Sequence, residues 1–234
     1  MIKDRDIQAA TMIINGEDIY DRGVLVESFK VGGTPINNEI YQGRNQTDFQ
    51  VIASTFGLKE ISVNLFFSGR TRREITLKKS AIDGLLYGKI ELGMPDGFQY
   101  TAAATSAGEL QILGVENNQV IALCTYTFQG IQHDPLVVST GNVVDCRSTI
   151  PKTDVKLTCT ASRAYEALTI ETVTITGVRA GDVITIDGQL KRILQNGAPC
   201  PGNMAFLKFP QLDPGVNTLN SPEPLTVEYY PTYA

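Results

Sequence analysis

Residues that could carry out catalysis are few in this chain, and they are scattered. His133 is the one histidine among 234 residues, and Asp134 follows it directly. A histidine beside a carboxylate suggests acid–base chemistry near neutral pH, but no nucleophile or metal-ligand pattern accompanies this pair, so a linker histidine is the favoured interpretation. Asp182 and Asp187 are five residues apart on one predicted strand and therefore point to opposite faces, which excludes a carboxylate pair. We expect a protein that is not an enzyme and has no catalytic residue and no cofactor.

The cysteines do not indicate a metal centre. They are Cys124, Cys146, Cys159 and Cys200, and no two of them form a C-x-x-C pair. With a single histidine to add, a zinc site is not expected. Four cysteines are also too few for a disulfide-built scaffold of this length. We therefore expect buried, reduced thiols, since a free cysteine behaves as a small hydrophobic residue.

The composition is that of a soluble globular protein, with 42% hydrophobic and 19% charged residues. The formal net charge is −5, with 12 Lys+Arg against 16 Asp+Glu before Pro135 and 8 against 9 after it. Neither half is basic, so we expect no nucleic-acid partner. No stretch approaches the roughly 20 apolar residues of a membrane span, and Met1 to Thr11 lacks the apolar core of a signal peptide. We expect no membrane insertion. We also expect that the protein is made and folded in a reducing cytosol.

The elements that would position any site are short strands, as 21 glycines and 11 prolines indicate. We predict a leader over 1–11, an N-terminal domain over 12–135 and a C-terminal domain over 136–234. The N-terminal domain contains one convincing helix, which starts with the capping box Thr71 to Glu74, runs from about Arg72 to Tyr87 and stops at Gly88. Ile121 and Leu123 lie on the second face of a strand whose first face is apolar, which predicts burial on both sides.

The C-terminal domain is predicted to consist almost entirely of β-strands. Asp187-Gly188 and Asn196-Gly197 are two-residue hairpin signals, because both turn positions require a positive φ. Short strands at this spacing, with turn residues between them, predict a β-sandwich.

One polar, turn-rich stretch, Gly32 to Asn45, interrupts the strand pattern of the first domain. It carries three large apolar residues, Ile36, Ile40 and Tyr41. Such residues favour a surface for a partner, and a loop folded back on its own domain is the equally weighted alternative. Under the first interpretation Ile36, Ile40 and Tyr41 anchor the contact with another subunit, and Arg44 pairs with a carboxylate of that neighbour.

The order of several loose motifs resembles a known family. They are Ile13-Ile14-Asn15-Gly16-Glu17-Asp18, Gly43-Arg44-Asn45, Pro95-Asp96-Gly97-Phe98-Gln99-Tyr100, Phe209-Pro210-x-Leu212-x-Pro214-Gly215-x-Asn217 and Leu225-Thr226-Val227-Glu228-Tyr229-Tyr230. In this order and spacing, from Met12 onwards, they resemble the distal tail protein (Dit) family of long-tailed, non-contractile phages (siphophages) and their prophages.

The resemblance implies a mainly β protein. The expected N-terminal domain is a split β-barrel with one α-helix and a protruding hairpin arm, and the C-terminal domain is a galectin-like β-sandwich. The expected function is structural: a homohexameric ring in the baseplate hub, at the virion tail tip, joins the tail tube protein to the tail-tip hub protein and the adsorption apparatus. A receptor-binding protein is a further expected partner, and synthesis would take place in the host bacterial cytoplasm.

The alternative is a carbohydrate-binding module that acts in host-surface recognition. Galactose-binding galectins stack a tryptophan on the sugar and read its hydroxyls with histidine, asparagine and arginine. This chain has no tryptophan and one histidine outside the second domain. The structural role is therefore the first hypothesis.

Overall fold

A computed structural model describes residues 11–44, 47–200 and 202–234. The chain divides into two compact units, one that runs to His133 and includes Ala234, and one that covers Asp134–Tyr233. The predicted leader 1–11, except Thr11, lies outside the described residues, and so does Asn45 at the end of the predicted arm.

The first unit is built on a mixed-length antiparallel sheet. Its strands are β1 (Ile13–Ile14), β2 (Glu17–Asp18), β3 (Val24–Val31), β4 (Ile36–Tyr41), β5 (Gln50–Phe56), β6 (Lys59–Gly69), β7 (Lys89–Gly93), β8 (Gln99–Ala107), β9 (Gln111–Glu116) and β10 (Gln119–His133). The main sheet has the order β2-β1-β7-β8-β10-β6-β3, and β9 also pairs with β10. Strands β4 and β5 pair only with each other, as a separate two-stranded sheet. A 3-10 helix, Ile19–Arg22, precedes β3.

Strict alternation along β6 and β10 places the core of this unit on one face of the sheet. In β6 the buried residues include Ile61, Val63, Leu65 and Phe67, and in β10 they include Ala122, Cys124, Tyr126 and Phe128. The two strands pair over eleven positions, from Val120 with Gly69 to Gly130 with Lys59. This long ladder brings both apolar faces to the same side, because side chains on paired strands share their direction.

The predicted helix is present, as α1 (Arg72–Leu85). The Thr71 hydroxyl accepts from the Glu74 backbone N–H at 3.2 Å, which is the first half of the capping box. The Glu74 carboxylate instead accepts from the Arg70 N–H at 2.8 Å, one residue before the expected donor. Ile75 and Ile82 are fully buried against the sheet.

The second unit is a β-sandwich around its own core. Its strands are β11 (Val137–Thr140), β12 (Val143–Cys146), β13 (Thr153–Thr160), β14 (Tyr165–Ile170), β15 (Val173–Val178), β16 (Val183–Asp187), β17 (Arg192–Gln195), β18 (Ala198–Pro199), β19 (Met204–Phe206), β20 (Gln211–Leu212), β21 (Gly215–Thr218) and β22 (Thr226–Tyr229). One sheet runs β11-β22-β13-β16-β17-β18, and the others are β14-β15-β19 and β12-β21. Their inward side chains form one cluster that includes Val144, Leu157, Ile175, Ile186 and Tyr229. A last short strand, β23, covers Thr232–Tyr233.

One of the two predicted hairpin turns is confirmed, and the other is wrong. Asn196 and Gly197 have φ of 52° and 79° between the paired strands β17 and β18, as a two-residue turn requires. The turn at Asp187-Gly188 is longer, because β16 ends at Asp187 and β17 starts only at Arg192. The Asp187 carboxylate is 4% exposed and accepts from the N–H groups of Gln189 and Leu190, which widens the turn to four residues.

The prediction that β10 is buried on both faces is also wrong. Ile121 and Leu123 are partly exposed, while the alternate residues on the other face are buried. Cross-strand pairing places Leu123 beside Phe66 of β6, and Phe66 beside Leu25 of β3. These residues lie on the face of the sheet opposite to the core. Their apolar row therefore faces outwards in the described part of the first unit.

Candidate assembly surface

The arm is a hairpin of β4, β5 and the described residues between them, within Ile36 to Phe56. It continues the β3–β6 pair, since Val31 still pairs with Ile61 at its base. Two further backbone hydrogen bonds extend the ladder outwards, from the Gly32 N–H to the Glu60 carbonyl at 2.8 Å and from the Gly57 N–H to the Pro35 carbonyl at 2.7 Å. The arm is thus anchored to the sheet by its backbone.

Every residue of β4 and β5 is exposed. Ile36, Ile40 and Tyr41 are 62%, 58% and 56% exposed. Arg44 is exposed as well, in the turn region beyond β4. A two-stranded hairpin with no buried side chain is marginal in water by itself, so an arm of this kind is typical of a segment that packs on something else.

The strand register divides the arm into two unlike faces. Ile36 pairs with Phe56, Asn38 with Ser54, and Ile40 with Val51. Because side chains alternate along a strand, these six residues share one side, which we call the apolar face. Asn37, Glu39 and Tyr41 pair with Thr55, Ala53 and Gln50 and share the other side, which we call the polar face.

The apolar face contains one polar pair, and that pair is internally satisfied. The Ser54 hydroxyl donates to the Asn38 side-chain oxygen at 2.7 Å. A hydrogen bond made within the arm lowers the cost of burying this pair against a partner. The four remaining side chains, Ile36, Ile40, Val51 and Phe56, are all large and apolar.

The structure therefore regroups the predicted contact residues. Ile36 and Ile40 lie together on the apolar face, whereas Tyr41 lies on the polar face and Arg44 lies beyond the strand. Val51 and Phe56 were missed, because the predicted arm ended at Asn45. Alternation of Phe56 and Ser54, read together with Ile36 and Ile40 as one hairpin, could have found Phe56. Val51 joins this face only because of the extra residue Ile52 on β5.

A β-bulge interrupts the arm on one strand only. The partner changes from Ala53 at Glu39 to Val51 at Ile40, so Ile52 is an extra residue on β5. Bulges break the regular row of backbone groups that a further strand would need. The edge of β4 is therefore the more regular edge of the arm.

The histidine that first suggested chemistry is part of the first unit's structure and does not lie in a linker. His133 ends β10 and is 4% exposed. Its Nε2 lies 3.0 Å from the Thr101 hydroxyl and 3.3 Å from a Glu91 carboxylate oxygen. A hydroxyl–histidine–carboxylate relay requires the carboxylate on the other ring nitrogen. Because both groups approach the same nitrogen, this geometry does not form such a relay.

The cysteines are core residues of the two units. All four are buried free thiols. Burial raises the pKa of Cys124, Cys159 and Cys200, with Cys159 at about 11. Within residues 11–44, 47–200 and 202–234, no group of three or more His, Cys, Asp or Glu side chains is placed to hold a metal ion. No helix in the same ranges is long and apolar enough to cross a membrane.

The second unit has a polar cavity of about 240 Å³. It is lined by Lys152, Glu171, Thr172, Lys208, Pro210, Gln211, Asp213, Asn217, Thr218 and Leu219. Several of these groups are already engaged, since Lys152 pairs with Asp213 and the Asn217 amide donates to the Asp213 and Gly215 carbonyls. None of the lining residues is aromatic, so the cavity has no ring on which a sugar could stack.

Comparisons with known proteins agree with this architecture. Residues 145–233 match the family described as siphovirus-type tail component, C-terminal domain. No curated protein matches the sequence. Among solved structures, the Dit protein of phage SPP1, described as a paradigm of the hub adsorption apparatus in phages infecting Gram-positive bacteria, has a TM-score of 0.78 at 14% identity. The match covers 97% of this chain and 100% of that one.

Two structures of the phage p2 baseplate in its activated conformation are also similar. The structure with Sr has a TM-score of 0.52 at 10% identity over 94% of this chain and 97% of that one. The structure with Ca has a TM-score of 0.53 at 10% identity, and the match covers 95% of this chain and 98% of that one. The family match identifies the second unit, and the SPP1 likeness extends the fold over nearly the whole chain. Residues 145–233 thus match the family of siphovirus-type tail components, and nearly the whole chain has the fold of SPP1 Dit.

Proposed function

We propose that this protein forms a closed homohexameric ring at the distal end of a siphophage tail. The ring joins the tail tube protein to the tail-tip hub protein and carries the adsorption apparatus, including the receptor-binding protein. In this proposal the protein performs no turnover, is synthesised in the host cytoplasm and acts in the virion. The support is the family match and the likeness to SPP1 Dit and the p2 baseplate.

The observation that carries the ring is the arm. A closed ring of identical subunits needs a heterologous contact, in which one surface meets a different surface on the next subunit. The arm supplies a surface of that kind, since every residue of β4 and β5 is exposed and one face of the hairpin carries four large apolar side chains. Burying Ile36, Ile40 and Phe56 would contribute on the order of 5 kcal/mol per interface before ordering costs.

Sugar binding is the second candidate from the sequence, and the second unit does not favour it. Its polar cavity contains one ion pair, Lys152 with Asp213, and no aromatic lining residue. We therefore retain the ring as the proposed function.

The test is a face-matched pair of triple variants of the full chain. Ile36→Ser, Ile40→Ser and Phe56→Ser together replace three of the four apolar side chains of this face, and we expect rings to become monomers that stay folded and melt cooperatively. The control Asn37→Ser, Glu39→Ser and Thr55→Ser changes the polar face at the same level of the hairpin and should leave rings intact. Light scattering and thermal melting are measured on the same samples.

Two results would contradict the proposal. Rings of unchanged mass in the apolar-face variant would mean that the arm does not hold the subunits together. A collapsed melting temperature in that variant would mean that the arm packs on its own unit.

A further inference from the structure

Positive charge is concentrated in one short stretch of this chain. Residues 70–89 contain six Lys+Arg and two Asp+Glu, which gives a net charge of +4. The rest of the chain contains 14 Lys+Arg and 23 Asp+Glu, which gives a net charge of −9. The stretch consists of α1 and the residues at its two ends, so one basic element belongs to an otherwise acidic protein.

The outward face of α1 is open. Ile75 and Ile82 face the core and are fully buried. The helix turns about 100° per residue, so the residues opposite the core lie within about 60° of one another. All of them are exposed, and we call them the outer stripe: Arg73, Leu77, Ser80 and Gly84. Leu77 is 60% exposed, and a Cβ at Gly84 would meet no atom within 4 Å.

The positive charge of α1 is uncompensated only in its first turn. Both lysines of the helix are paired with carboxylates one turn away, at 2.8 and 3.5 Å. Arg72 and Arg73 are exposed, and neither has an ion pair within residues 11–44, 47–200 and 202–234. Two guanidinium groups at the surface without a carboxylate of their own favour an acidic partner.

The outer stripe places an apolar side chain beside one of these arginines. Arg73 and Leu77 are four residues apart and are therefore neighbours on the helix surface. A carboxylate binds an arginine through two parallel hydrogen bonds, and an apolar side chain of the same partner would cover Leu77. Beyond Leu77, Ser80 and Gly84 have little bulk, so the backbone of the partner can approach α1 closely.

A protein segment fits this surface better than a nucleic acid does. Phosphates would satisfy the arginines, but a phosphate backbone has no apolar side chain to place on Leu77. A segment with both carboxylates and an apolar residue would satisfy the two kinds of contact together.

We propose that the outer stripe and Arg72 bind an acidic segment of another protein, with carboxylates on Arg72 and Arg73 and an apolar side chain on Leu77. The contacts with Arg73 and Leu77 are about 6 Å apart along α1, because four residues rise about 1.5 Å each. This proposal goes beyond the ring and does not rest on it, since neither the arm nor a second copy of this chain takes part.

The experiment screens random peptides of about 12 residues, enough for three helical turns, on the full chain. The selected peptides should be rich in Asp and Glu, with an apolar residue three or four positions away. Fluorescence anisotropy then measures their affinity for variants. Arg72→Gln with Arg73→Gln should weaken binding about tenfold or more, because charge-assisted hydrogen bonds are lost. Leu77→Ser should weaken it about threefold or more, because an apolar contact is lost.

Lys30→Gln with Arg179→Gln is the matched control, since it removes two exposed cations elsewhere on the chain. It makes the same change in net charge and should leave peptide affinity within about twofold. All of the substituted residues are exposed, so we expect every variant to melt as the unmodified protein does.

Three results would overturn the proposal. Unchanged affinity in the arginine variant, or a loss that the control shares, would mean that α1 is not the site. Tighter binding of a DNA duplex of about 20 base pairs than of any peptide, lost in the arginine variant, would make nucleic acid the occupant. A lower oligomer mass of the arginine variant by light scattering would make a second copy of this chain the occupant. An unmodified protein that is monomeric but binds the peptides as expected would contradict the ring alone.

Discussion

At the scale of single residues, Glu223 and Tyr126 are buried polar groups that are held by partners within their own unit. Glu223 is 4% exposed, and its carboxylate accepts from the Ser162 hydroxyl, the Ser162 N–H and the Tyr165 hydroxyl at 2.6 to 2.8 Å. In the first unit the Tyr126 hydroxyl donates to Asp83 at 2.8 Å. Burial is the larger cause that raises the pKa of Tyr126, and the hydrogen bond to Asp83 is the second cause. These bonds connect segments that are distant in sequence, so each joins parts of a unit that local structure alone would not join.

Glu223 makes the second unit sensitive to acid. Hydrogen bonds from the Ser162 side chain, the Tyr165 hydroxyl and the Ser162 N–H hold the pKa of this carboxyl below its usual value. A depressed folded-state pKa stabilises the fold above the unfolded-state pKa, and that stabilisation is lost as pH falls through the folded-state value. We expect Glu223→Gln to lower the melting temperature at pH 7. The difference in melting temperature between the variant and wild type should become smaller as the pH falls towards 3.

The control for this prediction is Glu166→Gln, which changes an exposed carboxylate on β14 of the same unit. It should leave the melting temperature within about 1 °C at both pH values. If the melting temperature of Glu223→Gln lies below that of wild type by the same amount from pH 7 to pH 3, ionisation of Glu223 does not contribute to stability.

At the scale of elements, the turn after β16 is shaped by a close approach. Gly188 lies where a Cβ would be 2.8 Å from the Val155 carbonyl oxygen and 3.3 Å from the Pro210 carbonyl oxygen. The glycine is thus required for space, and the four-residue turn is closed by Asp187. This role differs from the positive φ for which the sequence pattern had suggested it.

We predict that Gly188→Ala destabilises the second unit by about 1–3 kcal/mol, because backbone atoms must move to admit the methyl group. Chemical denaturation measures the change. The same substitution at Gly84, in α1, meets no atom within 4 Å, and it should stabilise the first unit by about 0.5–1 kcal/mol through helix propensity. A Gly188→Ala protein as stable as wild type would show that the loop yields without cost.

At the scale of the whole molecule, each unit has a core of its own. One buried cluster comes from the strands up to β10 together with α1, and the other comes from β12 to β22. The family match covers most of the second unit, 145–233. A sandwich of about 100 residues is large enough to fold independently.

We therefore predict that the fragment 134–233 folds alone with one cooperative melting transition. Circular dichroism and denaturant titration are the measurements. A fragment that is expressed but melts without cooperativity would argue that the second unit depends on the first and that the domain boundary near Pro135 is not an independent folding limit.

Local sequence signals were sufficient for several elements and for the family. Thr71 and the apolar spacing of Ile75 and Ile82 predicted α1, and Asn196-Gly197 predicted its hairpin because a two-residue turn depends on its own backbone angles. The expected family and mainly β fold are confirmed by the family match and the likeness to SPP1 Dit.

Only the tertiary structure decided which side chains share a surface. Cross-strand register is a long-range property that single-strand alternation does not specify. It added Val51 and Phe56 to the face of Ile36 and Ile40, and it aligned Leu25, Phe66 and Leu123 across three strands. The Asp187 turn likewise depended on Val155 and Pro210, which approach it from distant segments. The sequence by itself therefore determined the elements and the family, and the packing of distant strands determined the surfaces through which this protein would assemble.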